Sequence, residues 1–349
     1  RSKVKTLAVI GPNAKGMHLG GYSRDPGRGV DVLSGITSRA GAGIKVVYAE
    51  GVRITEHEAN WGSDKVVLGD AVQNRVRIQE AVKAARQADA IVLAVGTNES
   101  VSREAWADNH LGDVADLGLM SKQEELIEAM LQTGKPVIAL LINGRPLAMP
   151  LVAERVPAVV EAWYPGQEGG TAIGEVLFGD VNPGGKLAVT FPRHSGQLPV
   201  YYNRRPTSFR SYLDLTREPL WAFGFGLSYT TFRLEELRIA SPTIGPGGHT
   251  EVTVRVTNSG SRAGDEVVQL YIRDQVSSVT RPVKELRGFA RVTLKPGESQ
   301  NVSFTLGPEE LSLIDRRMQR VVEPGRFDVM VGTSASPALT ATLDVVPAR

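Results

Sequence analysis

The sequence predicts two domains, an α/β domain with a mainly parallel sheet at residues 1–200 and an all-β sandwich at residues 231–349, joined by a linker at 201–230. Three observations predict this arrangement. The length of 349 residues suggests about two domains at roughly 150 residues each. In the first part short apolar runs alternate with helical patterns, whereas the last part changes to an alternation with a period of two.

Short apolar runs in the first part are predicted strands. Several of them are apolar throughout, which is typical of strands that helices cover on both faces. The predicted strands lie at 6–10, 45–48, 90–95, 137–142, 158–163 and 187–190.

Helical patterns lie between these runs. At 76–88 apolar positions recur at steps of four and three, as on one face of a helix. The stretch Ser-Lys-Gln-Glu at 121–124 matches a capping box, which predicts that the next helix begins there, and Gly134 with Pro136 predicts its end. Helices that alternate with strands in this way imply parallel pairing.

The last part has the side-chain alternation of β-strands with one buried face. Val268, Leu270 and Ile272, for example, alternate with Gln269 and Tyr271. Turn signals containing Pro and Gly separate some seven strands of this kind, which predicts a β-sandwich.

Composition excludes several classes of partner and chemistry. Lys and Arg number 40 against 38 Asp and Glu, and no basic block could follow a phosphate backbone, so we expect no nucleic acid partner. The longest apolar run is far shorter than the ~20 residues of a membrane-spanning helix, so we expect no membrane span. Cysteine is absent, and this excludes disulfides and thiolate nucleophiles.

Cofactor and metal motifs are missing as well. The glycines after the first predicted strand match neither a dinucleotide fingerprint nor a P-loop, so no nucleotide cofactor is expected. The five histidines are scattered without metal-ligand spacing, and no G-x-S-x-G elbow accompanies them. We therefore predict no metal and no cofactor.

The segment 95–113 is the chemically richest stretch of the sequence. It is a long polar loop that leaves the end of a predicted strand, where α/β proteins often bind ligands. Its carboxylates are Glu99, Glu104, Asp108 and Asp113, and Arg103, Trp106 and His110 lie among them. Acids and an aromatic platform suit a sugar site. From composition alone, ordinary solvated loop charges remain the more common explanation.

Other prominent groups have structural interpretations. Trp163 and Tyr164, like Trp221 and Phe223, are expected to pack against protein rather than touch a substrate. The stretch Asn-Gly-Arg at 143–145 is expected to turn the chain after a strand.

Stretches spread over nearly the whole chain resemble the C-terminal portion of glycoside hydrolase family 3, which contains β-glucosidases and β-xylosidases. The resemblance implies an α/β sandwich domain followed by a fibronectin type III-like domain. It is carried by Lys-Thr-Leu-Ala-Val-Ile-Gly-Pro-Asn-Ala at 5–14, Ala-Trp-Tyr-Pro-Gly-Gln-Glu-Gly-Gly at 162–170, Leu-Phe-Gly-Asp-Val-Asn-Pro-Gly-Gly-Lys-Leu at 177–187, Phe-Gly-Phe-Gly-Leu-Ser-Tyr-Thr-Thr-Phe at 223–232 and Lys-Glu-Leu-Arg-Gly-Phe at 284–289.

The resemblance also implies roles for residues in the loop. Ser-Arg-Glu-Ala-Trp at 102–106 looks like the family's short Glu-Ala loop, which implies that Glu104 is the general acid/base, with Glu99 as the rival candidate. Trp106 is expected near the substrate. The family's aspartate nucleophile lies on a preceding barrel domain, and a chain that opens at Arg1 without Met is expected to lack that part.

The implied activity is that of a retaining, exo-acting β-glycosidase. The favoured substrates are β-linked oligosaccharides or aryl glycosides with a terminal, non-reducing β-D-glucosyl residue. A β-xylosidase of the same family is an alternative, and so is a non-catalytic carbohydrate-binding or structural module. Secretion or a periplasmic location is favoured by the resemblance only.

Overall fold

The computed structural model describes residues 3–57, 64–105, 107, 110–206 and 212–347. The chain divides into two compact units. The first contains residues 1–181 and 192–196, and the second contains residues 182–191 and 197–349. The first unit is built around a parallel sheet with helices and the second around mainly antiparallel sheets, which confirms the predicted fold class.

The sheet of the first unit has five parallel strands among the described residues, in the order β2-β1-β3-β4-β5. The strands are β1 Thr6–Ile10, β2 Lys45–Ala49, β3 Ala90–Gly96, β4 Val137–Ile142 and β5 Ala158–Glu161. Each confirms a predicted strand. The strand predicted at 187–190 is wrong, because the Leu187 N–H donates to the Phe225 carbonyl (2.9 Å) instead of joining a sheet.

Helices pack on both faces of this sheet. Helices α1 and α5 share one hydrophobic core with β1, β3 and β4, while α2 and α3 contact β1 and β3 and each other. The helices are α1 Val32–Ala40, α2 Ala71–Arg86, α3 Gln123–Leu131, α4 Pro150–Arg155 and α5 Gly169–Phe178.

The predicted helix at 76–88 begins earlier than its apolar pattern suggested. The Asp70 carboxylate accepts hydrogen bonds from the backbone N–H groups of Val72 (3.0 Å) and Gln73 (2.8 Å), which caps α2 one turn upstream.

The capping box predicted at 121–124 is wrong. Ser121 has a φ of +57°, and its hydroxyl donates to the Ile54 carbonyl (2.6 Å) rather than capping α3. The side chain of Gln123, which is fully buried, instead accepts from the Gly96 N–H (2.9 Å) and donates to the Gly96 carbonyl (2.8 Å). Tertiary hydrogen bonds therefore override the local capping pattern at the start of α3.

The second unit is a β-sandwich with one short helix, α6 Pro308–Leu311, among its described residues. One sheet has the strand order β10-β9-β14-β15-β7, the other has β11-β8-β6, and β12 pairs with β13. The strands are β6 Phe232–Ile239, β7 Thr243–Ile244, β8 Thr250–Asn258, β9 Gly264–Asp274, β10 Glu285–Leu294, β11 Ser299–Leu306, β12 Leu313–Ile314, β13 Arg320–Val321, β14 Gly325–Gly332 and β15 Leu339–Val345.

Strand β9 departs from the simple alternation that the sequence predicts. Gln269 and Tyr271, on the face opposite the core, are also buried. The ring of Tyr202 meets Tyr271 edge-on at 5.8 Å, and the Gln269 amide donates to the Gly224 carbonyl (3.2 Å). Part of the segment predicted as a linker therefore covers this face of the sheet.

Gly96 ends β3 in a conformation that only glycine adopts without strain. Its φ is +141°, and a Cβ atom there would lie 2.0 Å from the carbonyl oxygen of Ile142 on the neighbouring strand. The close approach of these two backbones is what allows β3 and β4 to end side by side.

We expect Gly96→Ala to lower the free energy of unfolding by about 3 kcal/mol or more, because it adds both backbone strain and a collision with β4. Urea denaturation of the chain measures the change. Gly43→Ala is the matched control, since nothing lies within 4 Å of a Cβ at that position. Equal denaturation midpoints for the two variants would contradict this prediction.

Candidate active site

The candidate site lies at the carboxyl ends of the parallel strands of the first unit. The strand order β2-β1-β3 reverses direction between β1 and β3, and open α/β sheets bind ligands outside the strand ends at such a switch point. The loop after β1 and the loop after β3 both start here. The predicted site loop therefore leaves the sheet at the position where the topology favours a ligand.

A buried amide joins the ends of three neighbouring strands. Asn13, in a short turn directly after β1, is 1% exposed. Its Nδ2 atom donates to the carbonyl oxygens of Thr97 (3.0 Å) and Ile142 (3.1 Å), at the ends of β3 and β4. These bonds connect the turn after β1 to the ends of β3 and β4, where the Ile142 carbonyl also accepts from the Thr97 backbone N–H (2.8 Å).

The first stem of the loop after β3 is held by a group of hydroxyls. The Ser102 hydroxyl donates to Oγ1 of Thr97 (2.6 Å), and the Gly144 N–H also approaches Oγ1 of Thr97 (3.3 Å). The Tyr164 hydroxyl, from the loop after β5, lies 3.5 Å from the same oxygen. Loops from three strands therefore converge on Thr97.

Glu99 turns inward, toward the loop that follows β1. Its side chain is 12% exposed, its Oε1 accepts from the Leu19 N–H (3.2 Å), and its Oε2 lies 3.6 Å from Nδ1 of His18. Burial by itself raises the pKa of Glu99, but the interactions with His18 and with backbone N–H groups outweigh it and hold that pKa below its ordinary value. Glu99 is thus a carboxylate that ties two loops together.

Glu104 occupies a different environment five residues further along. Its side chain is exposed, and among the described residues no hydrogen bond or ion pair involves its carboxylate. The flanking backbone is tightly held, since a Cβ on Gly112 would lie 2.7 Å from the Glu104 carbonyl. A free carboxylate on a fixed backbone is suited to proton transfer.

The second stem of the loop is fixed by its own hydrogen bonds. Arg103 is 4% exposed, and its Nε donates to the Leu111 carbonyl (2.9 Å). The backbone N–H of His110 donates to the Ala107 carbonyl (3.0 Å). The buried imidazole ring of His110 lies 3.2 Å from the carboxylate of Asp64. Arg103 and His110 are therefore framework residues of the loop.

The remaining residues of the predicted site have separate positions. Asp113 is exposed, beyond the second stem. Trp106 and Asp108 lie outside the described residues. The structure thus distinguishes the two candidate acids by orientation, which their similar positions in the sequence could not do.

One buried carboxyl beside the site was not singled out from the sequence. Glu161 ends β5, and its Oε1 accepts from the Trp163 N–H (3.0 Å). Burial raises its pKa to about 8, although the bonds from Trp163 and Asn143 oppose this effect. The signal in the sequence was a glutamate closing the apolar run Ala-Val-Val-Glu at 158–161.

The described residues contain neither a cluster able to hold a metal ion nor a helix able to span a membrane. No group of three His, Asp or Glu side chains in that part of the chain is arranged to hold a metal ion. No helix there combines the length and the apolar character that crossing a bilayer requires.

Comparisons with known families identify the class of protein to which this fold belongs. A model of the glycosyl hydrolase family 3 C-terminal domain matches residues 1–229, and a model of the fibronectin type III-like domain matches residues 266–335. The chain belongs to glycoside hydrolase family 3 and represents its C-terminal part.

Individual relatives bear the names of two activities. A β-xylosidase of Formosa agariphila is 45% identical over 346 residues, which cover 96% of this chain and 45% of the relative. The structure of a β-glucosidase of Erythrobacter marinus has a TM-score of 0.95 and 45% identity, covering 99% of this chain and 47% of that one. A β-glucosidase of Listeria innocua in complex with glucose has a TM-score of 0.83 and 32% identity, covering 98% and 46%.

The chain spans about half the length of the curated relatives that it matches. The strand-end loops described above belong to this shared half.

Glu161 makes the stability of the chain depend on pH. Because its pKa is raised on folding, the folded state binds more protons than the unfolded state between about pH 4.5 and pH 8, and stability falls as pH rises through this window. We expect Glu161→Gln to remove this loss, which is a few kcal/mol at about 1.4 kcal/mol per pKa unit. Urea denaturation at pH 5 and pH 8.5 measures it.

The control for this prediction is Glu154→Gln, which changes an exposed glutamate on α4. It should leave the pH dependence of the unmodified chain in place. An identical fall in stability between pH 5 and pH 8.5 in the Glu161→Gln variant would contradict the prediction.

Proposed function

We propose that this chain is the acid/base-bearing C-terminal part of a retaining, exo-acting β-glycosidase, and that Glu104 is the general acid/base. One observation carries the proposal. The Glu104 carboxylate is exposed and unpaired among the described residues, on a loop anchored at both stems. Glu99, the rival candidate, is occupied by Leu19 and His18.

The proposed reaction uses Glu104 in both of its protonation states. As a neutral acid it protonates the glycosidic oxygen while an aspartate attacks the anomeric carbon and forms a glycosyl-enzyme. As a carboxylate it then takes a proton from the water that hydrolyses this intermediate. The aspartate belongs to a barrel domain outside this chain, and its carboxyl must come within roughly 5–5.5 Å of Glu104.

The proposed substrates carry a terminal, non-reducing β-D-glucosyl residue. Two similar structures bear the name β-glucosidase, and one of them is in complex with glucose. The β-xylosidase of Formosa agariphila supports β-xylosyl substrates as the second candidate. Trp106 is proposed to stack against the sugar, because indole rings pack well on the apolar face of a pyranose. Comparing kcat/KM for aryl β-glucosides and β-xylosides distinguishes the two sugars.

In the full-length enzyme we expect Glu104→Ala to lower kcat for 2,4-dinitrophenyl β-glucoside by about 10²–10⁴-fold. This leaving group departs without protonation, so the variant accumulates a glycosyl-enzyme that lacks a base for hydrolysis. Azide, which attacks without a general base, should restore turnover and yield β-glucosyl azide. Release of dinitrophenolate and isolation of the azide product measure the two effects.

Two variants serve as controls. Glu124→Ala changes an exposed glutamate on α3 and should leave kcat unchanged. Glu99→Ala should show no azide rescue. Rescue of Glu99→Ala alone would move the acid/base role to Glu99, and a full rate for Glu104→Ala would favour an accessory module without catalytic function.

A further inference from the structure

Thr97, Ser102 and Tyr164 form a cluster of hydroxyl side chains at the first stem of the site loop. This hydroxyl cluster is more enclosed than a surface turn requires. Thr97 is 4% exposed and receives the Ser102 hydroxyl at 2.6 Å. A Cβ on Gly144 would lie 2.9 Å from the Tyr164 ring and 3.2 Å from Cβ of Ser102, so no space is left between these side chains. The side chains that bear these hydroxyls are therefore closely packed against one another.

Tyr164 is held in the hydroxyl cluster by contacts on two sides. Its ring stacks on His18 with centroids 6.2 Å apart, and its hydroxyl meets Thr97. Burial raises the pKa of Tyr164 above its ordinary value, while its hydrogen bonds with Ser102 and Thr97 oppose this effect only in part. Tyr164 consequently remains a neutral phenol, able to donate a hydrogen bond, throughout the neutral pH range.

The hydroxyl cluster fixes the backbone immediately before Glu104. Ser102 is two residues upstream of Glu104, so its hydrogen bond to Thr97 fixes where the backbone enters the turn. Arg103 and Gly112 fix where the backbone returns. The Glu104 backbone is held from both directions, while no hydrogen bond or ion pair involves its carboxylate among the described residues.

Acid catalysis is sensitive to such placement. An acid contributes only when its proton lies within hydrogen-bond reach of the leaving oxygen, and a shift of about 1 Å can cost about 10²-fold in rate. An acid whose carboxylate has no hydrogen-bond or ion-pair partner depends on its backbone for its position. At the first stem, the hydroxyl cluster is the nearest structure that can fix the position of the Glu104 backbone.

We propose that Thr97, Ser102 and Tyr164 are positioning residues that set the location of the Glu104 carboxyl relative to the glycosidic oxygen. This inference rests on the proposed acid/base role of Glu104. None of the three transfers a proton in the reaction, and their effect operates through Glu104. Their loss should therefore lower kcat/KM only for substrates whose leaving group must be protonated.

The test compares kcat/KM for two aryl β-glucosides in the full-length enzyme. Phenyl β-glucoside has a poor leaving group that needs the acid, whereas 2,4-dinitrophenyl β-glucoside does not. We expect Ser102→Ala and Tyr164→Phe to lower kcat/KM for the phenyl substrate by about tenfold or more and for the dinitrophenyl substrate by less than about threefold. A purely structural loss of active enzyme would lower both values equally.

The matched control is Thr133→Val. The Thr133 hydroxyl is also partly buried and also makes a 2.6 Å hydrogen bond, to the Met130 carbonyl at the end of α3. We expect this variant to leave both kcat/KM values, and therefore their ratio, unchanged. A change of the ratio as large as that of Ser102→Ala would overturn the proposal.

A double variant separates the positioning role from the acid role. In a Glu104→Ala background, Ser102→Ala should not change the ratio of the two kcat/KM values any further, because no acid remains to be positioned. If Glu104→Ala selectively slows the phenyl substrate but Ser102→Ala and Tyr164→Phe do not, the positioning proposal is wrong and the role of Glu104 stands. If Glu104→Ala slows both substrates equally, both proposals fail.

Discussion

The amide pair between Gln123 and Gly96 is the interaction on which the candidate site depends most. The chain leaves the sheet at Gly96, makes the long site loop and returns to the sheet layer at α3, where the fully buried Gln123 side chain bonds both backbone groups of Gly96. The two ends of the loop are therefore joined to each other. Without this pair, a donor and an acceptor would be left unpaired in the core, which is costly wherever water is excluded.

The same requirement explains the polar residues around the strand ends. Backbone carbonyls at the ends of parallel strands need hydrogen-bond donors, and the Asn13 amide donates to two of them, those of Thr97 and Ile142. Glycine completes the arrangement at Gly96, where the backbones approach too closely for a side chain. A polar framework at the strand ends thus holds the loops, and the residues proposed for chemistry remain outside it.

The sequence predicted the strands of the first unit well because a buried parallel strand is a local signal, an apolar run of limited length. The sequence-based prediction failed where a hydrogen bond to a residue far away in the chain determines the local structure. Ser121 bonds Ile54 instead of capping its helix, and Leu187 pairs with Phe225. For the site, the family resemblance singled out Glu104 with Glu99 as its rival, but the sequence could not orient their side chains. The inward turn of Glu99 depends on His18, from a loop about eighty positions earlier.

The closure of the loop at its stems has a consequence for variation in this family. The Gln123–Gly96 pair joins the two ends of the loop, and the Arg103–Leu111 bond closes it again between residues 103 and 111. Insertions are best tolerated at exposed positions whose backbone is not needed elsewhere. A different length or composition between residues 103 and 111 is therefore compatible with the same two closures of the loop.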